Sequence, residues 1–496
     1  MTAQHFDVLI IGAGLSGIGT ACQLSTALPS KTFTLLERRE RLGGTWDLFR
    51  YPGIRSDADM TTLGYGFRLW RDPRVLADGA AIRRYLAETA VEYGVDKNIR
   101  YGLRAVSADW SSTDVTWTIT AVDEATGQLC TYTCDFLINC AGYYDYDTGY
   151  SPEFPGIEGY TGQTVHPQHW PEDLDYKGKK VVVVGSGATA VTLVPAMAAD
   201  AEHVTMLQRS PSYVFSLPGY DKISEALSRV LPSKWVWAMA RRRNVLLQRK
   251  MFLAFRRWPH QSRRFMLWFM RRQLGPTFDM SHFTPTYMPW DERMCMASDG
   301  DLFDALKSGD ASVVTDKIER FTETGILLNS GHELEADIVV TATGLNLKML
   351  GGMRLTIDGS IVLLGEKMAY KGILVQDIPN FAVVFGYTSA AYTLKSDLAG
   401  AYLCRLLSHM MERRYTAVLP HDSEGCVTSA GVFDTLKSGY IRRGGNQMPR
   451  QGSKLPWKTL MHYERDRHLL LKESVADGVL LFTEAPLRLA ESSGVS

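Results

Sequence analysis

The sequence predicts an α/β protein made of two similar three-layer units, with a helical insertion in the second. Two observations carry that prediction. First, one glycine pattern occurs twice, each time behind an apolar run of strand length and ahead of a helix-like stretch. The copies are Asp7-Val-Leu-Ile-Ile-Gly12-Ala-Gly14-Leu-Ser16-Gly17 and Lys180-Val-Val-Val-Val-Gly185-Ser186-Gly187-Ala188-Thr189-Ala190. Second, the segments after each copy repeat as well. A second strand is predicted at Thr32 to Leu36 and at His203 to Leu207, then alternating strands with turn residues at Leu103 to Thr133 and at Ser312 to Leu334. Each series closes on an apolar strand ending in glycine, Asp135 to Gly142 and Asp337 to Gly344. In a chain with 43 glycines a lone GxGxxG is weak evidence. Here each copy has the strand before it and the helix after it that a dinucleotide-binding, Rossmann-like turn requires.

Composition narrows the classes. At 496 residues, 45% hydrophobic, the chain has material for two to four domains. Lys+Arg and Asp+Glu both total 54, so no overall charge points to nucleic acid. Seven scattered cysteines, without a CxxC pair or metal-ligand spacing, fit a reducing cytoplasm and no metal site. Val8 to Ser30 and Val181 to Ala199 lack charges, yet both carry the glycine pattern. They read as buried strands running into helices, not as membrane spans.

The ends of the second strands separate the two sites. Glu37 lies about 20 residues beyond Gly17, where a carboxylate accepts bonds from ribose hydroxyls and repels a 2′-phosphate. That suits FAD or NAD. The second copy has no acid at the matching place; it has Gln208-Arg209. A guanidinium pairs well with a 2′-phosphate, so this site is expected to prefer NADPH. Two dinucleotide sites in one chain imply hydride transfer between cofactors. A disulfide-type reductase would need a redox cysteine pair at the flavin. Cys130 and Cys134, the nearest pair, read as two residues of a meander strand. Oxygen is then the expected electron acceptor.

Longer motifs point the same way. Tyr160-Thr-Gly162-Gln-Thr-Val-His166-Pro-Gln-His-Trp170 lies between the two glycine turns. It resembles the FxGxxxHxxxW fingerprint of Baeyer–Villiger flavin monooxygenases, with Tyr160 in the place of Phe. Gly43-Gly44-Thr45-Trp46 and Tyr51-Pro-Gly-Ile-Arg55-Ser56-Asp57 look like that family's flavin-side segments, and Trp290-Asp-Glu-Arg293-Met-Cys295 like the stretch holding its active-site arginine. The match runs over nearly the whole chain and is most like the bacterial ethionamide-activating type.

The resemblance implies FAD and NADPH as cofactors, with Asp47, Leu48 and Ala105 counted among the cofactor-binding residues. It implies that reduced flavin and O2 give a C4a-peroxide, which oxygenates small ketones to esters or lactones and oxidises sulfides or thioamides. Arg293 is the expected cation stabilising the peroxide, and Asp57 its orienting partner. Tyr160, Gly162, His166 and Trp170 are expected to form a hinge and control element. The tail is expected to return to the first unit, giving 1–150 with 345–496 as the FAD-binding domain and 151–344 as the NADPH-binding domain. A monooxygenase acting only on nitrogen or sulfur, or an NADPH-dependent flavoprotein reductase or oxidase, remains as an alternative.

The insertion, about 211–289, is rich in Arg, Trp, Phe, Met and Leu and spaced as amphipathic helices. It reads as a helical cap packed on the core with a solvated basic face. Contact with a membrane surface is the less favoured reading.

Overall fold

The computed structural model describes residues 3–292, 294–388, 390–434 and 438–484. The strand Gln4–Ile11 lies inside an 11-stranded sheet. It pairs in parallel with Phe33–Leu36 on one side, Val8 opposite Phe33, and with Leu129–Asn139 on the other, Leu9 opposite Leu137. Ile99–Arg100 continues in parallel beyond Phe33–Leu36. A near-continuous apolar run suits a strand covered on both faces. Val8 and Ile10 pack among residues of the helices Leu15–Ala27, Gly79–Glu92 and Tyr392–Arg413. Leu9 and Ile11 pack with Trp117 and Ile119 of the antiparallel strands and with Leu355 and Phe381 of the tail.

The second sheet repeats this order. Ala311–Thr315, His203–Gln208, Lys180–Val184, Ile338–Thr341 and Gln163–Val165 lie side by side, every pairing parallel. Val181 and Val183 pack toward the helix Ala188–Ala198 and the insertion, and Val182 and Val184 toward Phe321, Ile326 and Tyr160.

Three expectations need correction. The segment Ser312 to Leu334 is not one meander. Its first part is the parallel strand Ala311–Thr315; only Ile318–Phe321, Gly325–Leu328 and Glu333–Glu335 are antiparallel. Short apolar alternation looks the same in both settings, and pairing direction is set by the crossover before it. The first meander and its closing strand are also one element. Leu129–Asn139 runs antiparallel to Thr116–Asp123 and then parallel to Gln4–Ile11. Finally, the insertion is not wholly helical. Val214–Leu217 pairs with Cys295–Ser298 at its base, and the helices are Lys222–Ser228, Ser233–Arg257 and Pro259–Leu274. Pro259, at the first helical position, opens a new helix where the long one ends.

The long helix Ser233–Arg257 is tied to the first unit. The Arg241 guanidinium donates to the carbonyls of Thr61 and Gly64, both at 2.8 Å. The Asn244 and Gln248 amides donate to the Asp59 carboxylate at 2.9 and 2.6 Å. The tail adds Arg354–Ile357, parallel to Leu103–Ser111, and Phe381–Val383, parallel to Leu129–Asn139, to the large sheet. No helix among the described residues is long and apolar enough to cross a membrane.

Gly17 marks where helix and strand touch: a Cβ there would overlap the Gly12 carbonyl oxygen. Gly17→Ala is expected to destabilise the fold by at least about 1–3 kcal/mol, as overpacking does. The urea midpoint measures this, and an unchanged midpoint would contradict the packing described.

Candidate nucleotide-binding active site

The two glycine turns are built alike, atom for atom. The Gly12 N–H donates to the Leu36 carbonyl at 2.8 Å, and the Gly185 N–H to the Leu207 carbonyl at 2.8 Å. Both glycines have positive φ, +95° and +144°. A Cβ on Gly12 would lie 2.9 Å from the Cys140 carbonyl oxygen, and one on Gly185 would overlap that of Ala342. The end of the neighbouring strand therefore excludes a side chain at each turn. The middle glycines differ. At Gly14 the nearest atom to an added Cβ is the Gly44 Cα at 3.5 Å, and at Gly187 nothing lies within 4 Å. The fold leaves that room open, as the close approach of a pyrophosphate requires. Gly14 and Gly187 are N-caps without a side-chain capping bond, so the first-turn N–H groups and the positive dipole end face outward.

One cleft reaches from the first turn to the start of the helix behind the second. Gly12, Gly14 and Ser16 form part of one wall; Ala188 and Thr189 belong to another. Of the remaining sequence-predicted residues, Glu37, Gly44, Thr45, Trp46, Arg55, Asp57 and Ala105 also line it. Glu37 is buried; one oxygen accepts from the Ala13 N–H at 2.7 Å and the other from the Arg39 N–H at 2.9 Å. Burial pushes its pKa up, against the pull of those two N–H groups. The Thr45 hydroxyl meets the Tyr146 phenol at 3.3 Å. Arg55 forks onto Asp301 at 2.5 and 3.2 Å, joining the first unit to the helix Asp301–Ser308 beside the cleft.

Other predicted residues stand behind the wall. The buried Asp47 carboxylate is taken by Arg39 at 2.8 Å and Arg83 at 3.0 Å, with Arg41 at 3.5 Å. Leu48 packs into the core of the second unit. Ser56 exchanges bonds with the Ala77 backbone at 2.9 and 3.2 Å. Ala190 is buried in the position Gly17 holds in the first copy, and the Ser186 hydroxyl donates to the Ser210 carbonyl at 3.0 Å. Gln208 is buried and spends its amide N–H groups on the His282 carbonyl at 2.7 Å and Thr315 Oγ1 at 2.9 Å. Arg209, next in sequence, is exposed and has no ion-pair partner among the described residues. Arg293 lies outside the described residues. After it, Met294 is buried, and the Cys295 thiol reaches the Ser186 carbonyl at 3.7 Å, against the second glycine turn.

The fingerprint segment occupies the crossing between the units. The buried Tyr160 phenol donates to the Ala336 carbonyl at 2.8 Å. Gly162 has no room for a side chain beside Tyr160 and the Asp337 carbonyl. The His166 ring lies against Gly149, where a Cβ would overlap it. Its Nδ1 accepts from the Gln168 N–H at 3.2 Å. Burial lowers its pKa, opposed by the Gly344 backbone. Trp170 is partly buried on the second core. Tyr144–Gly149 and Leu345–Leu347, the two connections between units, pair with each other as an antiparallel ribbon.

Sequence reasoning placed the helix start at Ala391-Tyr392 near the flavin, and both residues line the cleft, but it missed Lys348, Leu350 and Gly351. Leu350 has φ +57°, rare for a side-chain-bearing residue. The Gly351-Gly352 pair just beyond a closing strand was the available signal. Cys140 also lines the cleft, its thiol pushed up to about 12 by burial, while Cys130 and Cys134 are not in its wall. No cluster of metal-ligating side chains occurs among the described residues.

Two uncapped helix N-termini behind tight glycine turns, opening on one cleft, define an oxidoreductase that brings two nucleotides together. Residues 73–351 match the family described as flavin-binding monooxygenase-like, and residues 10–89 an NAD(P)-binding Rossmann-like domain. The chain is 64% identical over 486 residues to MymA of Mycobacterium tuberculosis, covering 97% of this chain and 98% of MymA. It is 48% identical over 485 residues to the FAD-containing monooxygenase EthA of the same organism, covering 97% and 99%. Among solved structures, an oxidized steroid monooxygenase bound to NADP superposes with a TM-score of 0.79 at 20% identity, covering 97% of this chain and 100% of that one. The chain belongs to the flavin-binding monooxygenase-like family: it is a flavin-dependent monooxygenase, with FAD and a nicotinamide nucleotide as cofactors.

Gly14→Ala is expected to leave the fold intact, since the protein itself offers no clash, yet to weaken flavin retention by at least about tenfold, because the lost space is the ligand's. The ratio of flavin absorbance to protein after purification tests this; a fully yellow variant would contradict it. Arg209→Ala is expected to narrow the preference for NADPH over NADH in flavin reduction by about 10- to 100-fold, the worth of a charge-assisted phosphate contact. Stopped-flow reduction with each nucleotide decides it.

Proposed function

We propose that this enzyme uses NADPH and O2 to insert one oxygen atom into small ketones, giving esters or lactones, and to oxidise sulfides or thioamides. The observation that carries the reading is the single cleft bounded by the first glycine turn, by Ala188 and Thr189 at the start of the helix behind the second, and by Asp57. The chemistry a bound flavin supplies there is passage of electrons from NADPH to O2. The chain's own residues do the rest. Gly12, Gly14 and the first turn of Leu15–Ala27 would hold the FAD diphosphate, and Glu37 the adenosine ribose. Gly185, Gly187 and the first turn of Ala188–Ala198 would hold the NADPH diphosphate, with Arg209 on the 2′-phosphate. Arg293 stays protonated at any working pH. It would stabilise the negative charge that develops on oxygen as a carbonyl is attacked. Asp57 would orient it. The division into 1–150 with 345–496 and 151–344 belongs to the same reading. His166, seated on Gly149, would serve as a pivot and not as a proton carrier.

The holoenzyme is to be given NADPH, O2 and a panel of ketones and sulfides. Ester, lactone or sulfoxide is expected. Oxygen converted only to free hydrogen peroxide would show an oxidase instead, and sulfoxide without ester a heteroatom oxygenase. Arg293→Ala is expected to keep flavin reduction by NADPH and lower ester formation by about 100- to 1,000-fold, the usual effect of removing a group that stabilises a developing oxyanion. Undiminished ester formation would assign that role elsewhere.

A further inference from the structure

The outer face of the helical hairpin is unlike the rest of the surface. Twelve of the twenty-one large apolar side chains exposed among the described residues lie between Tyr220 and Trp268. On the helix Ser233–Arg257, Trp235 (67% exposed), Met239, Leu246 and Leu253 (48%) recur at helical spacing and share one outward stripe. Arg242, Lys250 and Arg257 lie on the same stripe, between and beside them. On Pro259–Leu274, Phe265 and Trp268 (55%) face outward with Arg264, Arg271 and Arg272. The Arg272 guanidinium lies over the Trp268 ring, 5.7 Å from its centre. This is an apolar stripe set among cations, not the solvated basic face the sequence suggested.

Charge is equally concentrated. Residues 233–274 contain twelve Lys and Arg and no Asp or Glu, in a chain whose charges otherwise balance. Some of these cations are engaged elsewhere: Arg241 with Asp397, Arg243 with Asp221, Arg249 with Glu464 and Arg256 with Asp291. Lys234, Arg242, Lys250, Arg257, Arg264 and Arg272 have no acidic partner among the described residues and point outward. Neither helix can span a bilayer.

We propose that this face docks on the surface of an anionic lipid bilayer, with the apolar stripe in the boundary between headgroups and acyl chains and the free cations on lipid phosphates. Apolar side chains interleaved with unpaired Lys and Arg fit such a surface on both counts. A second copy of the chain would set one cationic face against another, and a nucleic acid would leave leucine and methionine unmatched. The inner face of the same helix holds Asp59 and the Thr61–Gly64 backbone, and its Val245 packs on the cluster of Tyr387, Ala391 and Leu394, of which Ala391 lines the cleft. A docked enzyme would therefore hold that end of the cleft close to the lipid. The proposal rests on the surface alone and is independent of the substrate reading above.

The test is co-flotation of the full-length holoenzyme with vesicles of phosphatidylcholine, with and without 30 mol% phosphatidylglycerol (about the anionic share that creates a negative surface potential). Binding is expected only with the anionic lipid, to fall at least about tenfold at high salt, and to shift tryptophan emission to the blue. A Trp235→Ser/Leu246→Ser/Leu253→Ser variant and, separately, an Arg242→Glu/Lys250→Glu variant should each lose at least about tenfold in partitioning. Both keep flavin content and activity on a water-soluble substrate, because all five side chains face away from the cleft. Equal binding to neutral vesicles, no binding at all, a concentration-dependent dimer that buries Trp235, or salt-sensitive binding to duplex DNA in place of vesicles would each overturn the proposal.

Discussion

Two carbonyl oxygens fix the architecture of the site. Those of Cys140 and Ala342 press against Gly12 and Gly185 so closely that neither turn admits a side chain. Each turn is held again from the other side, by an N–H bond to the end of the second strand. Strand, turn and helix are thereby set at one angle in both units. The helix N-termini open where the strand order reverses, the place where α/β sheets bind ligands. The strand order about each turn is the same: Ile99–Arg100, Phe33–Leu36, Gln4–Ile11, Leu129–Asn139 in one unit, and Ala311–Thr315, His203–Gln208, Lys180–Val184, Ile338–Thr341 in the other. The rest of the molecule supplies what the turns lack: a buried carboxylate at Glu37, an exposed cation at Arg209, and the walls between.

The repeat was legible because it is written in residues whose physics is local. Glycine before a helix and valine runs before glycine mean the same thing in any context. Residues whose role depends on distant neighbours were not legible. Asp47 follows a flavin-side motif, yet its carboxylate is consumed by Arg39 and Arg41 of one segment and Arg83 of another. Gln208 stands at the specificity position, but its amide is committed to His282 and Thr315, far away in sequence. Lys348 and Leu350 reach the cleft only because the tail returns to the first sheet. In the insertion, helical periodicity separated two faces without telling which would be covered. The buried face proved to be the one carrying Arg241, Asn244 and Gln248, polar side chains that bind backbone and carboxylate of the other unit. Trp235, Leu246, Leu247, Leu253 and Trp268 were left outside.

The Tyr160-to-Trp170 segment illustrates an intermediate case. Its residue types mark a family, and the structure gives each a mechanical place: Tyr160 on the Ala336 carbonyl, Gly162 under it, His166 on Gly149, Trp170 on the second core. None of them is in the cleft wall. Their contacts are with the joints of the molecule, which is where a residue must act if it governs how two halves meet.

Those joints have a further property. Had the two connections run as separate threads, the units could slide, shear and rotate past one another. Zipped together as Tyr144–Gly149 against Leu345–Leu347, they behave as a strap that bends and twists but resists sliding. The Arg55–Asp301 fork acts as a latch at some distance from that strap. A tilt about that strap would change the angle between the two glycine turns without breaking a hydrogen bond inside either sheet.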